Sequence, residues 1–275
     1  MTAIVLAKNE EAGIGFTLNR LDDFDEVIVV DSWSTDRTVQ IAQDAGATVV
    51  QFTWNGGHPK KKQWSLDHAG ARNEWVLLLD ADEYPSAELV QEIADATAPE
   101  AIASAYDIEL DYWFAGRVLE HGHRVTKRSL LRRSRVRFPE VNDLEAPGIR
   151  EVEGHYQPEV IGETGRLQEH LQHDDVDPVS SWFDRHNRYS DWEAYLNVHP
   201  ELKHTIAEAR SAKGQRFARL PFKPAVFFGY SYLLRRGFLD GRAGFDYAFA
   251  LASYYWQIGV KTRELRRDEP PASDR

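Results

Sequence analysis

Short apolar runs rich in β-branched residues alternate with helical patterns over the first hundred positions. Ala3–Ala7 (AIVLA), Glu26–Val30 (EVIVV), Ala47–Trp54 and Trp75–Leu79 (WVLLL) read as strands. Glu10–Leu21, a segment running from a Ser34 or Thr35 cap to Ala45, and Pro59–Gly70 read as helices, with Gly46 ending the second. WVLLL is apolar at every position, the pattern of a strand covered on both faces. Such strands joined by helices predict an α/β fold with a parallel, doubly wound sheet, whose ligands bind at the carboxyl ends of the strands. From about Ser104 to His173 alternating segments suit further strands. From Pro178 onward the pattern is helical, over Trp182–Leu196, Glu201–Gly214, Phe222–Arg236 and Gly241–Lys261. The expected organisation is an α/β domain over 1–176, with halves 1–100 and 101–176, a helical extension over 177–267 and a polar tail, 268–275.

Polar residues fall where that sheet would place a site. Asn9 and Glu10 follow the first strand, Asp31 and Ser32 the second, and Asp80, Asp82 and Glu83 the fourth. In LLLDADE (Leu77–Glu83) two carboxylates spaced i, i+2 leave a buried strand pointing the same way, and unpaired they would repel. A hard divalent cation, Mn²⁺ or Mg²⁺, would relieve that repulsion and hold a diphosphate as well. On its own the pattern also describes a solvated turn before a helix begun by Ser86. An Asp leaving a strand, as in DSWSTDRT (Asp31–Thr38), can bind a nucleobase or ribose while the hydroxyls behind it cap a helix. Lys62, in KKKQWSL, and the adjacent Arg132 and Arg133 are candidates for holding phosphate.

Composition narrows the class. The 275 residues are 42% hydrophobic and 28% charged, as in a folded globular chain. With no cysteine, disulfides, thiolate metal sites and a Cys nucleophile are excluded. No secretory leader and no spanning segment of about 18 uncharged apolar residues is expected, so the chain is read as cytoplasmic. The net charge of −11 divides into +9 over Lys203–Arg267 and −20 elsewhere. The acidic body argues against nucleic-acid binding; the basic, aromatic end suits an anionic membrane surface or, alternatively, an oligomer interface.

AKNEE (Ala7–Glu11), VVDSWSTDRT (Val29–Thr38) and LLLDADE, in this order and spacing, resemble the family 2 glycosyltransferases. GRVLEHG (Gly116–Gly122), LLRRSRVRF (Leu130–Phe138), His155 followed by GETGRL and His173, and RRGFLDGRAGF (Arg235–Phe245) are similar to the bacterial branch that builds lipopolysaccharide cores and other envelope polysaccharides. The resemblance covers about Ala3 to Lys261. It implies a GT-A fold, Rossmann-like and mostly parallel with helices on both faces, carrying a C-terminal helical extension. It also implies inverting transfer from a nucleotide-diphosphate sugar to a lipid-linked or lipopolysaccharide-type acceptor, at the inner-membrane surface, with Mn²⁺ or Mg²⁺. Residues 1–100 would then bind the nucleotide sugar and 101–176 the acceptor. Asn9, Glu10 and Asp31 would serve the base and ribose, Asp80 the ribose or phosphate, and Asp82 the metal, joined by His173. The branch has His-Glu where this chain has His155-Tyr156, and that Glu would be the acceptor-deprotonating base. The base candidates here are Glu153, then Asp143 and His155. Two rival readings are a degenerate transferase acting as a glycolipid-binding scaffold and a sugar-phosphate nucleotidyltransferase, whose glycine-rich basic signature AKNEEAGIG lacks.

Overall fold

The computed structural model describes residues 1–153, 157–174, 178–199, 202 and 220–268. The helix expected over Glu201–Gly214, the tail after Asp268 and the base candidate His155 lie outside the described residues.

The strands β1 (Thr2–Ala7), β2 (Glu26–Asp31), β3 (Thr48–Gln51) and β4 (Trp75–Asp80) pair in parallel in the order β3-β2-β1-β4. Between them lie α1 (Ile14–Leu18), α2 (Thr38–Asp44) and α3 (Lys61–His68). Successive β1 side chains enter opposite cores. Ala3, Val5 and Ala7 meet Ile14, Leu18 and Ala42, whereas Ile4 and Leu6 join the cluster that contains Leu66. Both faces are thus covered by helices, and every position of β1 is buried. That is why AIVLA carries no polar alternation. The winding direction reverses between β1 and β4, which makes a topological switch point with a crevice beyond the strand ends.

Past β4 the chain forms β5 (Glu83–Pro85) and α4 (Ala87–Ala96), which begins where Ser86 Oγ accepts from the Leu89 amide at 3.1 Å. β6 (Ala103–Phe114), β7 (Arg117–Leu119) and β8 (Thr126–Arg132) follow, and β8 inserts antiparallel between β4 and β6. β9 (Val136–Arg137) and β10 (Glu159–Val160) make a small ribbon; β11 (Glu163–Arg166) and β12 (Leu171–His173) join β6 in parallel, and β12 also pairs antiparallel with β5.

The chain divides into two compact units. Residues 1–113, 124–140 and 151–176 form the sheet unit; the other takes 114–123, 141–150 and the described residues from 178 onward. The second unit contains α5 (Val179–Val198), α6 (Lys223–Phe228), a π turn (Gly229–Leu234), a 3-10 turn (Gly237–Asp240) and α7 (Gly241–Asp268). Trp182 of α5 and Tyr247 of α7 pack on Phe114, with ring centroids 5.4 and 5.2 Å away. Several expected helices are shorter than their patterns. Glu10–Gly13 is a turn rather than the start of α1, and the Phe222–Arg236 segment has left-handed residues at both ends, Phe222 (φ 51°) and Arg236 (φ 60°). Among the described residues no helix is long and apolar enough to cross a membrane.

Candidate active site

The first two loops beyond the parallel strands are tied to each other. Asn9, left-handed at φ 59°, receives the Thr35 amide on Oδ1 at 2.8 Å and gives its own amide to Ser34 Oγ at 2.8 Å. The Glu10 amide donates to Thr38 Oγ1 at 2.7 Å, and the Arg37 amide to Glu11 at 3.0 Å. The hydroxyls of DSWSTDRT therefore serve a neighbouring loop as much as their own helix. α2 begins only at Thr38, whose amide is received by Asp36 Oδ1 at 3.0 Å. Asp31 is fully buried; its carboxylate accepts from both the amide and the hydroxyl of Ser34. Beside it the Trp33 indole is exposed and donates Nε1–H to Thr53 Oγ1 at 2.7 Å.

Strand register sets the rest of the rim. Asp31 lies beside Ala7 and Asp80 beside Leu6, so the two carboxylates end strands that flank β1, about 10 Å apart at the backbone. Asp80 Oδ2 accepts from Lys127 Nζ at 2.8 Å, and the same ammonium reaches both Glu83 oxygens at 2.6 Å. Burial alone would raise the Asp80 carboxyl, but the Lys127 ammonium, and after it Lys62, outweigh burial and hold it well below the usual carboxylate range. Burial would likewise lower Lys127; Asp80 and Glu83 reverse that and hold it above an ordinary lysine. Asp82 lies next along the chain, with Oδ2 3.3 Å from His173 Nε2. The His173 ring stacks on Tyr112 with centroids 4.7 Å apart, and its Nδ1 is buried without a hydrogen-bond partner.

α3 supplies a second cation. Lys61 is almost fully buried, donates to the Ala7 carbonyl at 2.8 Å and lies 3.7 Å from Glu151. Burial pushes its ammonium below the ordinary lysine value, and Glu151 and Asp31 offset only part of that. The start of α3 is held by the 151–153 segment: the Lys61 amide donates to the Glu151 carbonyl, and the Lys62 and Gln63 amides donate to the two Glu153 oxygens at 2.7 and 2.9 Å. Both oxygens of the first base candidate are thus spent on backbone amides. Asp143 belongs to the second unit, where it is buried and accepts the Trp192 indole N–H at 3.0 Å.

The structure does not bring Arg132 and Arg133 to this rim. Arg132 pairs with Trp75, the first residue of β4, and the Arg133 amide donates to the Glu74 carbonyl. Both therefore lie at the amino end of β4, because β8 runs antiparallel to it. The residue from the same segment that does reach the rim is Lys127, near the start of β8. Lys61 and Lys127 were not singled out from the sequence; Lys127 lies among other cations, Arg124, Arg128, Arg132 and Arg133, and nothing local marks it out. Asp107, Glu109 and Asp111 share a face of β6 as their spacing suggests, and are matched there by Arg128, Arg124, Arg166 and His170.

The model of glycosyl transferase family 2 matches residues 2–156. The chain belongs to this family. Its GT-A fold follows from that membership. Over most of its length this family 2 member is similar to the lipopolysaccharide core biosynthesis glycosyltransferase LpsC of Rhizobium meliloti, at 26% identity across 94% of this chain and 92% of that protein. A stretch of 94 residues is 45% identical to an uncharacterized glycosyltransferase of Rickettsia bellii, covering 34% of this chain and 31% of its relative. The chain thus spans about a third of the length of the Rickettsia relatives it matches. Among solved structures, glucosyl-3-phosphoglycerate synthase from Mycobacterium tuberculosis, in complex with Mn²⁺, uridine diphosphate and glucosyl-3-phosphoglycerate, is 27% identical over 38% of this chain and 42% of that one, with a TM-score of 0.32.

Proposed function

We propose that the protein transfers a sugar, with inversion, from a nucleotide-diphosphate donor to a lipid-linked saccharide of lipopolysaccharide type, working in the cytoplasm at the inner-membrane surface. One observation carries this reading: Asp31, Asp80 and the Asp82–His173 pair stand on one rim of the sheet, at its switch point. The near full-length similarity to LpsC supports the choice of acceptor.

Asp82 and His173 suit a divalent cation, Mn²⁺ or Mg²⁺. They form an oxygen–nitrogen pair at 3.3 Å, and Asp82 keeps 27% of its side chain exposed, which leaves an open side for phosphate oxygens. Among the described residues no group of three or more candidate ligands gathers. When bound, the cation supplies Lewis-acid stabilisation of the negative charge on the departing diphosphate. The chain's own contributions are positional and electrostatic. Asp31 and the tied Asn9–Glu10 loop receive the nucleoside, while Lys127 keeps Asp80 ionised and Lys62 adds positive charge toward the phosphates. Glu153 fixes the start of α3 through the Lys62 and Gln63 amides. Proton removal from the acceptor hydroxyl is assigned by comparing Glu153→Gln, Asp143→Asn and His155→Ala.

The test is release of sugar from nucleotide-sugar donors, with and without lipid-linked acceptor. Turnover should require Mn²⁺ or Mg²⁺ and fall at least a hundredfold in Asp82→Ala, as on losing a main source of charge stabilisation. Donor binding with no turnover on any acceptor would instead establish the glycolipid-binding scaffold.

A further inference from the structure

Within the second unit, the turn between α6 and α7 presents four consecutive exposed residues, Leu233, Leu234, Arg235 and Arg236, followed by exposed Phe238 and Leu239. Leu234 is 77% exposed. This tip is clamped from behind. The Gly122 amide donates to the Arg235 carbonyl at 2.9 Å, and His123 donates its amide to Ser231 Oγ at 3.1 Å. His121 holds the Asp240 carboxylate through both its amide and Nδ1, each at 2.9 Å. Glycines permit the close approach: a Cβ on Gly237 would stand 2.9 Å from the Ser231 carbonyl, and one on Gly244 1.9 Å from the Gly237 carbonyl. Leu233 and Leu234 therefore project from a turn that is bonded at several points behind it.

Tyr232 connects the tip to α7, with its ring 6.3 Å from Phe238 and 5.6 Å from Phe245. Phe245 stacks on Phe249 at 6.0 Å. Phe245, Phe249, Trp256 and Val260 follow at spacings of four, seven and four, which puts them on one helical face. All four are exposed, Phe249 to 57% and Trp256 to 59%. Arg242 and Arg263 lie on the same face at either end of this stripe. The charge around the ridge is mostly positive, although Lys261 is paired with Asp191 of α5 at 2.6 Å. From Leu220 to Arg263 there are six Lys and Arg against two acids; Asp240 is engaged by His121, and Asp246 lies 3.5 Å from Arg242.

We propose that this ridge is a membrane-docking surface, on which the Leu233–Arg236 tip and the α7 aromatic stripe enter the headgroup region of an anionic bilayer. Its occupant is argued from charge. Aromatic and Leu side chains framed by arginines match an interface with apolar chains below and negative headgroups above. No described helix is long and apolar enough to cross the bilayer; the proposed contact is with the interface. This deepens the reading of a membrane-bound acceptor and depends on it for purpose, although it stands on different residues.

The test is co-sedimentation with vesicles of phosphatidylcholine, alone or mixed with phosphatidylglycerol. The full chain should bind the mixed vesicles and be released by salt. Arg236→Glu should weaken the partition about fivefold or more, from roughly 1 kcal/mol per cation near such a surface. Leu233→Ser with Leu234→Ser should weaken it roughly tenfold or more. Because a variant can misfold, tryptophan quenching by bromolipid in otherwise intact protein provides a second readout: it should be lost in Trp256→Phe and kept in Trp33→Phe. No binding to anionic vesicles, binding that both variants leave unchanged, or a stable dimer that these variants break while vesicles bind nothing, each overturns the proposal. Lost vesicle binding with donor hydrolysis intact removes the docking surface alone. Metal-independent hydrolysis or none, with vesicle binding kept, removes the transferase mechanism alone.

Discussion

Removing the Lys127 ammonium would leave Glu83, only 1% exposed, charged and uncompensated beside Asp80. Lys127→Met should therefore destabilise the sheet unit by about 3 kcal/mol, at the low end for a broken buried pair because Asp80 is partly solvated. Urea unfolding checks this, and Glu83→Gln in the same background should recover part of the loss. Asp111 offers a cleaner pH experiment. Burial alone would raise its carboxyl, but hydrogen bonds from Gln172 and His170, with the Arg124 charge, lower it below the ordinary Asp value. A carboxylate depressed in the folded state contributes stability above its unfolded pKa and loses it as pH falls through the folded one. Asp111→Asn should thus cost about 1–3 kcal/mol at neutral pH, and the difference from the parent should shrink as acid unfolding approaches below the ordinary Asp range.

At the scale of elements, α3 shows how a helix can depend on a distant segment. Its own N-cap residue, Lys60, offers no capping acceptor, and Glu151 and Glu153 receive the first three amides instead. Glu153→Gln keeps one acceptor and loses the charge near the helix start, so it should cost about 1 kcal/mol. If Glu153 only positions α3, the variant should change donor KM more than kcat, as steady-state kinetics would show; a collapse of kcat with unchanged KM would make it the base after all. The parallel strands were legible because burial on both faces removes polar residues from them, as in AIVLA and WVLLL. Helix starts were less so. Ser34 and Thr35 look like caps for their own helix, yet Ser34 is bonded to Asp31 and Asn9, and Thr35 to Asn9. A hydroxyl's partner across a loop is set by tertiary approach and leaves no local signature.

For the molecule as a whole, the carboxylates of the rim could be read because parallel strand ends share one edge by construction. Arg132 and Arg133 were misplaced for the complementary reason: alternation marks a strand but carries no information about its direction, and β8 runs against β4. The expectation that His173 joins Asp82 came from the family resemblance, since distance along the sequence carries no such signal; β12 joining β5 and β6 is what brings the two together. Where the parallel half hands over to the reversed strand, β8 meets β6 through an irregular step between Tyr106 and Asp107. A slip by one residue would turn every side chain to the other face, taking Ala105, Ile108, Leu130 and Leu131 out of their cores. Slipped, Lys127 would also leave buried Glu83 beside half-exposed Asp80 without its cation. The same ammonium that sets the charge of the rim therefore adds to the cost of misaligning these two strands.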